Sequence, residues 1–329
     1  MLSFFKYLAL SLAALMAGLA AFIFWPVLHT PVPAPSVCLS LKGDAGKLLP
    51  LVVDRDQLYG VALTYPGIIR QGGYDYDPQV PPPVFRKLAP ALNRGGEIKY
   101  PAQHEILEMV DTLEPGLANR LQAKFPVIPV LLDYEVELGI VVLEDITIDN
   151  LRDPDFAPKL GYFLANDLQS TTVGILGFDT EREARFLDQK GSFPGFLPVS
   201  QGMWVPDAQR PNSLLCTELK TRVNGELRQD QNTKNRIYTN RQILGFVAKA
   251  YGKNVINAGT AIITGSPAGV ALRAPRWKKR LGELLMMDRF DKVSAVASAS
   301  DRNGPFLQPG DVIVVHARPF GNIETTIIK

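Results

Sequence analysis

Cysteine and histidine are scarce in this chain of 329 residues, which has two of the first and three of the second. Cys38 and Cys216 are too few for a disulfide framework and lack metal-ligand spacing, which excludes stapled miniature folds and cysteine-based zinc modules. One bridge between them is open; unpaired thiols are the expected state. Long Lys/Arg runs are also missing, and the formal net charge is only +2. No nucleic-acid partner is expected from such a balance. No internal repeat of useful period is present. The histidines fall apart in sequence: His29 at an apolar boundary, His104 in a helical stretch, His316 near the end. His104 opens HEILE, where Glu108 stands in place of the second histidine of a zinc-protease helix, so that class drops out and a solvated helix face is the expectation.

What is there is a globular composition, 46% hydrophobic and 21% charged, enough for one large domain or two modest ones. Lys6 precedes an uncharged apolar run from Tyr7 to Leu28, long enough at helical rise for one transmembrane helix. Trp25-Pro26 suits the far interface. A cleaved leader ending at Gly18-Leu19-Ala20 is the alternative, but the run continues through Phe24, which favours an uncleaved anchor. The expected organisation is an anchor or signal segment over 1–29, a Pro-rich linker and lead-in over 30–57, and a catalytic domain over 58–329. A short cytoplasmic tail bearing Lys6 would leave that domain periplasmic or otherwise extracytoplasmic.

Along the domain, residues 58–65 read as a strand and Val84-Phe85, after three prolines, as an edge strand. Residues 101–120 read as helix. Residues 160–168 fit strand or helix, and the charged stretch 179–192 reads as a mobile surface segment. Asn224-Gly225 within 219–228 is the strongest hairpin signal. Asn240–Tyr251 is an amphipathic helix closed by Gly252. Residues 259–270 are a strand entering a Gly/Pro/Ser loop, and two strands end the chain.

The chemistry gathers in LLDYEVELGIVVLEDI, residues 131–146. In extended backbone Glu135 and Glu137 share a face and can converge on one hard cation, with Asp133 at the strand's entry. A solvent-facing acidic strand is the plain alternative. Asp167, at the end of the apolar run from Leu160, is expensive to bury unless paired or metal-bound, and is a candidate third ligand.

The ordered set DYEVELGIVV, GYFLAND, KGSF with FLP, VNGELRQ with NT, ITGSPAGV and LQPGDVIVV resembles the fumarylacetoacetate hydrolase family from about Val61 to the C-terminus. The resemblance implies an α+β fold, a mixed β-roll or sandwich with flanking helices, here preceded by the transmembrane helix. It also implies a homodimer and a Mg2+ or Mn2+ ion on Glu135, Glu137 and Asp167. Lys190 and Thr264 fall at catalytic positions, and Tyr65, Thr264 and Gly265 at substrate-binding ones. Members hydrolyse, decarboxylate or isomerise small 2-oxo and β-diketo acids. Three departures stand out. The family's lid His and Glu become Ile68 and Gln71, its arginine after the N-D pair is replaced within Ser170-Thr171-Thr172, and Gly191 separates Lys190 from Ser192-Phe193. An insertion over about 273–303 carries an amphipathic helix with a basic start. It is expected to pack on its own domain or a dimer mate, with an anionic headgroup surface as the alternative. The expected function is a metal-dependent enzyme of this family; the alternative is a catalytically impaired metal- and dicarboxylate-binding protein.

Overall fold

The computed structural model describes residues 14–22, 29–303 and 306–329. Its centre is a pair of strands with no solvated face: β6 (Val136–Val142) and β7 (Leu160–Asn166) bury every residue. Near-continuous apolar runs of this kind specify strands covered on both sides. The stretch 160–168, which fits strand or helix by pattern, is therefore resolved as strand by its pairing with β6 from Leu160↔Val142 to Asn166↔Val136.

These two strands lie within a seven-stranded mixed sheet. The remaining members are β2 (Gly46–Pro50), β3 (Leu58–Val61), β4 (Val84–Lys87), β8 (Gly202–Pro206) and β12 (Ala261–Ile263). The spatial order is β2-β8-β7-β6-β12-β3-β4. β4 is an edge strand, as the prolines before it imply. A five-stranded sheet runs in the order β11 (Glu226–Asn232), β10 (Glu218–Val223), β13 (Val312–Ala317), β14 (Gly321–Ile328), β5 (Gly96–Lys99). The β10–β11 hairpin turns at Asn224-Gly225, with φ of 50° and 82°, the paired left-handed residues of a type I′ turn. β10 packs on β6 and β13 on β7, which encloses Leu138, Ile140, Leu164, Leu219 and Val315. The architecture is the expected α+β roll.

Helices flank it: α1 (Pro66–Gln71), α2 (Gln103–Leu113), α3 (Leu117–Lys124), α4 (Thr171–Gly177), α5 (Glu183–Lys190), α6 (Asn240–Ala250), α7 (Arg276–Leu284) and α8 (Arg289–Asn303). The stretch 101–120 forms two helices, parted at Gly116 (φ +84°). The charged stretch 179–192 is α5 rather than a mobile segment, because Phe186 is fully buried beneath its polar face. One apolar anchor per two turns is enough to seat a helix whose composition looks like a loop.

Two expectations about the N-terminal part are corrected. The apolar run 7–28 lies mostly outside the described residues. Its described portion, 14–22, is helical. Among the described residues no helix is long and apolar enough to cross a membrane, which overturns the transmembrane anchor and the extracytoplasmic placement built on it. The cysteines are also not free. β1 (Val37–Leu39) runs parallel to β9 (Ser213–Leu215), aligning Cys38 with Leu214, and a Cys38–Cys216 disulfide closes across them with Cα atoms 5.3 Å apart. A sequence separation of 178 residues gave no local sign of the pairing.

Candidate metal and substrate site

The register of β6 against β7 creates the site. Pairing of Ala165 with Glu137 and Asn166 with Val136 brings the start of one strand beside the end of the other. The Asp167 amide then donates to the Glu135 carbonyl at 2.8 Å. Ligand oxygens of Glu135, Glu137 and Asp167 all lie within 4.8 Å of one another, and Glu137 and Asp167 are each 1% exposed. Each carboxylate is also oriented. Glu137 Oε2 accepts from the Gly265 amide at 2.6 Å, Glu135 Oε1 accepts from Gln169 Nε2 at 2.6 Å, and Asp167 Oδ1 accepts from Lys87 Nζ.

Three carboxylates this close cannot comfortably ionise together without a cation. Burial, then the charge of Asp167, pushes Glu135 up to about 8. Burial followed by the charges of Asp167 and Glu135 pushes Glu137 well above the ordinary carboxylate range. A hard divalent cation would turn this repulsion into attraction, since all-oxygen donor sets suit Mg2+ and Mn2+. The residues fit such an ion.

Residues 57–328 match the fumarylacetoacetate (FAA) hydrolase C-terminal family. The chain belongs to the fumarylacetoacetate hydrolase family. It is 26% identical over 196 residues, 59% of its length, to an uncharacterized protein of Archaeoglobus fulgidus, of which this stretch covers 72%. It is 28% identical over 139 residues, 42% of its length, to a 2,4-didehydro-3-deoxy-L-rhamnonate hydrolase of Sphingomonas sp. (strain SKA58), and spans less than half (44%) of that protein. Among solved structures, a Mycobacterium smegmatis protein assigned as HpcE superposes with a TM-score of 0.53 at 19% identity, over 83% of this chain and 74% of that one. That likeness establishes the fold.

Within the family frame, sequence reasoning missed Lys87. It sits two residues after Phe85 on edge strand β4, and both side chains turn inward. Lysines on edge strands usually face water and guard the edge, which hid this one. Only the Phe85/Lys87 alternation could have revealed it. At 2% exposure its ammonium donates to Asp167 and, at 2.7 Å, to the Gly191 carbonyl. It also explains a departure from the family pattern. A Cβ on Gly191 would stand 2.0 Å from Lys87 Nζ and 3.0 Å from the Leu168 carbonyl oxygen; the glycine between Lys190 and Ser192 leaves the ammonium its space.

Lys190 ends α5, half-buried, 5.8 Å from the Phe85 ring centroid. It is near enough that its charge favours the ionised forms of Asp133 and Glu135. Asp133 is not a fourth member of the cluster. Its carboxylate accepts from the Tyr134, Ala271 and Leu272 amides at 2.8, 2.7 and 3.0 Å, fastening the loop after β12. Burial outweighs those bonds and pushes it up to about 6.

The expected substrate contacts are differently disposed. The Thr264 hydroxyl donates to the Leu138 carbonyl at 2.6 Å, and the Gly265 amide is committed to Glu137. Both donors brace the site instead of standing open, because the tight Gly/Pro/Ser loop lies directly against β6. Tyr65 is buried, and its hydroxyl has no hydrogen-bond partner among the described residues. Burial pushes this phenol up, while the charge of Arg236 acts the other way.

Ile68 and Gln71, at the family's lid positions, have become structural. Ile68 is buried. Gln71 Nε2 donates to the Val270 and Leu272 carbonyls, both at 2.8 Å, and its Oε1 accepts from the Gly269 amide at 2.7 Å. Three bonds thus staple α1 to the 264–272 loop. His104 stays exposed on α2, and His316 Nδ1 pairs with Asn322 Oδ1 at 2.8 Å within the β13–β14 hairpin.

Proposed function

We propose that this protein is a divalent-metal-dependent enzyme acting on a small 2-oxo or β-diketo acid by decarboxylation or enol–keto isomerisation rather than by water-activated hydrolysis. The carrying observation is the combination of a buried Glu135–Glu137–Asp167 cluster and two adjacent lysines with the absence of a base at positions 68 and 71. A Mg2+ or Mn2+ ion held by the three carboxylates would act as Lewis acid toward an enolate. The chain's own residues do the rest. Lys87 orients Asp167 through a buried charge-assisted bond. Lys190 supplies a second positive charge beside Glu135, where developing negative charge on a substrate would be stabilised. The Gly265 amide fixes the Glu137 carboxylate. Neither Ile68 nor Gln71 can abstract a proton from water.

The test is turnover of a panel of 2-oxo and β-diketo acids with Mg2+, with Mn2+ and with chelator. Activity should need the metal and vanish in Glu135→Ala/Glu137→Ala together with calorimetric Mg2+ or Mn2+ binding; unchanged metal affinity in that double variant would sink the assignment. A second reading, a binding protein that holds a dicarboxylate without turning it over, is favoured by the same Ile68, Gln71 and Thr171 replacements. Metal-dependent turnover lost on Lys190→Ala would reject it.

A further inference from the structure

Strand β11 is inverted in polarity. It leaves Leu227 41% exposed and buries a single residue, Gln229, at 1%. The pairing with β10 shows how this comes about. Thr221 stands opposite Gln229 and Arg222 opposite Leu227, so Arg228 is an extra residue in the ladder. A bulge of this kind re-aims the side chain beside it. A buried amide is costly unless it is bonded, and the bonds of this one lead to the acidic cluster.

Gln229 uses the full capacity of its amide, two acceptor and two donor positions. Its Oε1 accepts from the Thr221 hydroxyl at 2.7 Å and from the Val136 amide at 3.0 Å. Its Nε2 donates to the Ser266 hydroxyl at 2.9 Å and to the Pro267 carbonyl at 3.0 Å. Val136 stands between Glu135 and Glu137, and Ser266 follows Gly265, whose amide holds Glu137. One side chain of the five-stranded sheet thus grips both the strand that carries two carboxylates and the loop that orients one of them. β12 pairs with β6 only at Gly139, Ile140 and Val141, so that ladder ends short of Val136. Gly269 permits the approach: its φ is +108°, and a Cβ there would collide with the Arg228 carbonyl oxygen and lie 3.0 Å from Gln229 Cγ. The bonds of Gln71 fall farther along the loop, on Gly269, Val270 and Leu272.

We propose that Gln229 is a positioning residue for the candidate metal centre: it sets Glu135 and Glu137 against the Gly265 loop and so tightens the binding of a hard divalent cation. It is not itself a ligand, because its oxygen is spent on Thr221 and Val136. This rests on the metal-binding part of the proposed function. A fully satisfied buried network rigidifies what it touches, and hydrogen bonds behind ligating groups commonly decide how well those groups hold an ion. Gln229→Met keeps the length of the side chain and removes every bond. Thr221→Val keeps its shape, removes one bond to Gln229, and leaves β6 and the loop as they are.

The experiment is calorimetric titration of Mn2+ into the full chain and its variants, with thermal midpoints measured beside it. Gln229→Met should weaken Mn2+ binding by about tenfold or more. Thr221→Val should weaken it by about threefold, the share of one neutral hydrogen bond. In the Gln229→Met background it should add nothing, because its effect passes through Gln229. Thr233→Val removes a buried hydroxyl that donates to the Leu215 carbonyl just past the end of β11; it should lower the midpoint and leave Mn2+ affinity unchanged. Wild-type affinity in Gln229→Met, a Thr221→Val effect that adds in full, or an equal loss of affinity in Thr233→Val overturns the inference and leaves the proposed function standing. If Gln229→Met does not fold, Thr221→Val decides against Thr233→Val, and equal affinities in the two overturn the inference. Failure of the wild type to bind Mn2+ overturns both.

Discussion

The floor and the roof of the candidate site follow different rules. The floor consists of Glu135, Glu137 and Asp167, on or beside central strands whose register fixes their meeting, with Lys87 reaching Asp167 from edge strand β4. It is dense in charge and largely buried. The roof, α1 with Tyr74 and α7, has no such carboxylate cluster among the described residues; amide–carbonyl staples, a lysine against aromatic rings and an ion pair hold it. A sheet interior tolerates little change because any shift disturbs many packed neighbours, so charge placed there keeps its geometry. A roof made of a short helix and an insertion can be rebuilt without touching the sheet. The contrast is between charge whose geometry the sheet fixes and a cover that can change without disturbing it.

The floor can be broken from behind. Lys87→Met removes the buried partner of Asp167 and leaves a carboxylate uncompensated beside Glu135 and Glu137, a loss of about 3–5 kcal/mol in the metal-free protein. Saturating Mg2+ or Mn2+ should recover much of it, because the cation then answers the same charge. Denaturant unfolding with and without metal measures both, and a metal-free midpoint equal to wild type would mean that Lys87 contributes nothing to the floor. The roof should respond more mildly. Gln71→Leu deprives the Gly269 amide and two carbonyls of their partner, at about 1–3 kcal/mol, without altering metal affinity. Gln71→Glu restores the kind of side chain the family carries there, yet sets a carboxylate oxygen against the Val270 and Leu272 carbonyls. It should be no more stable than Gln71→Leu at neutral pH. A Gln71→Glu protein as stable as wild type would show the staple to be incidental.

The sequence made the floor legible and the roof only partly so, for physical reasons. Glu135 and Glu137 stand out because an apolar strand has no use for carboxylates, and Asp167 because an acid ending a buried run needs a partner. Their meeting is a consequence of strand register, which the apolar runs specify. Lys87 escaped because its type and its edge strand both have a plainer explanation. Thr264 and Gly265 were placed toward substrate by the family resemblance; the packing of their loop on β6, which directs the Thr264 hydroxyl to the Leu138 carbonyl and the Gly265 amide to Glu137, carries no local sequence signal. The departures at Ile68 and Gln71 were visible as losses of chemistry. Their gain, the staple, depends on backbone atoms some 200 positions away and carries no local signal. The Cys38–Cys216 bridge was hidden by the same kind of distance, and charge density alone misassigned α5.

The anchoring of the insertion gives the smallest of these effects and the most specific pH signature. Glu114 is held down to about 2, first by its hydrogen bond from Arg289 and further by Arg120. Its folded value lies below its ordinary one, so the stabilisation it gives is complete above about pH 4.5 and is lost as pH falls through about 2. The group is largely shielded, with 17% of its side chain exposed, but Arg120 is half exposed, so Glu114→Gln should cost only about 1–2 kcal/mol at pH 7. Wild-type protection of α8 amides should weaken between pH 4.5 and 2.5, and the variant should begin less protected and change less over that window. The metal site lies on the other side of the comparison, and its affinity at pH 7 should be the same in both proteins. If Glu114→Gln instead shifts Mg2+ or Mn2+ affinity, the floor and roof are coupled through α4, whose Leu176 carbonyl accepts from the same Arg289, and their separation as independent parts fails.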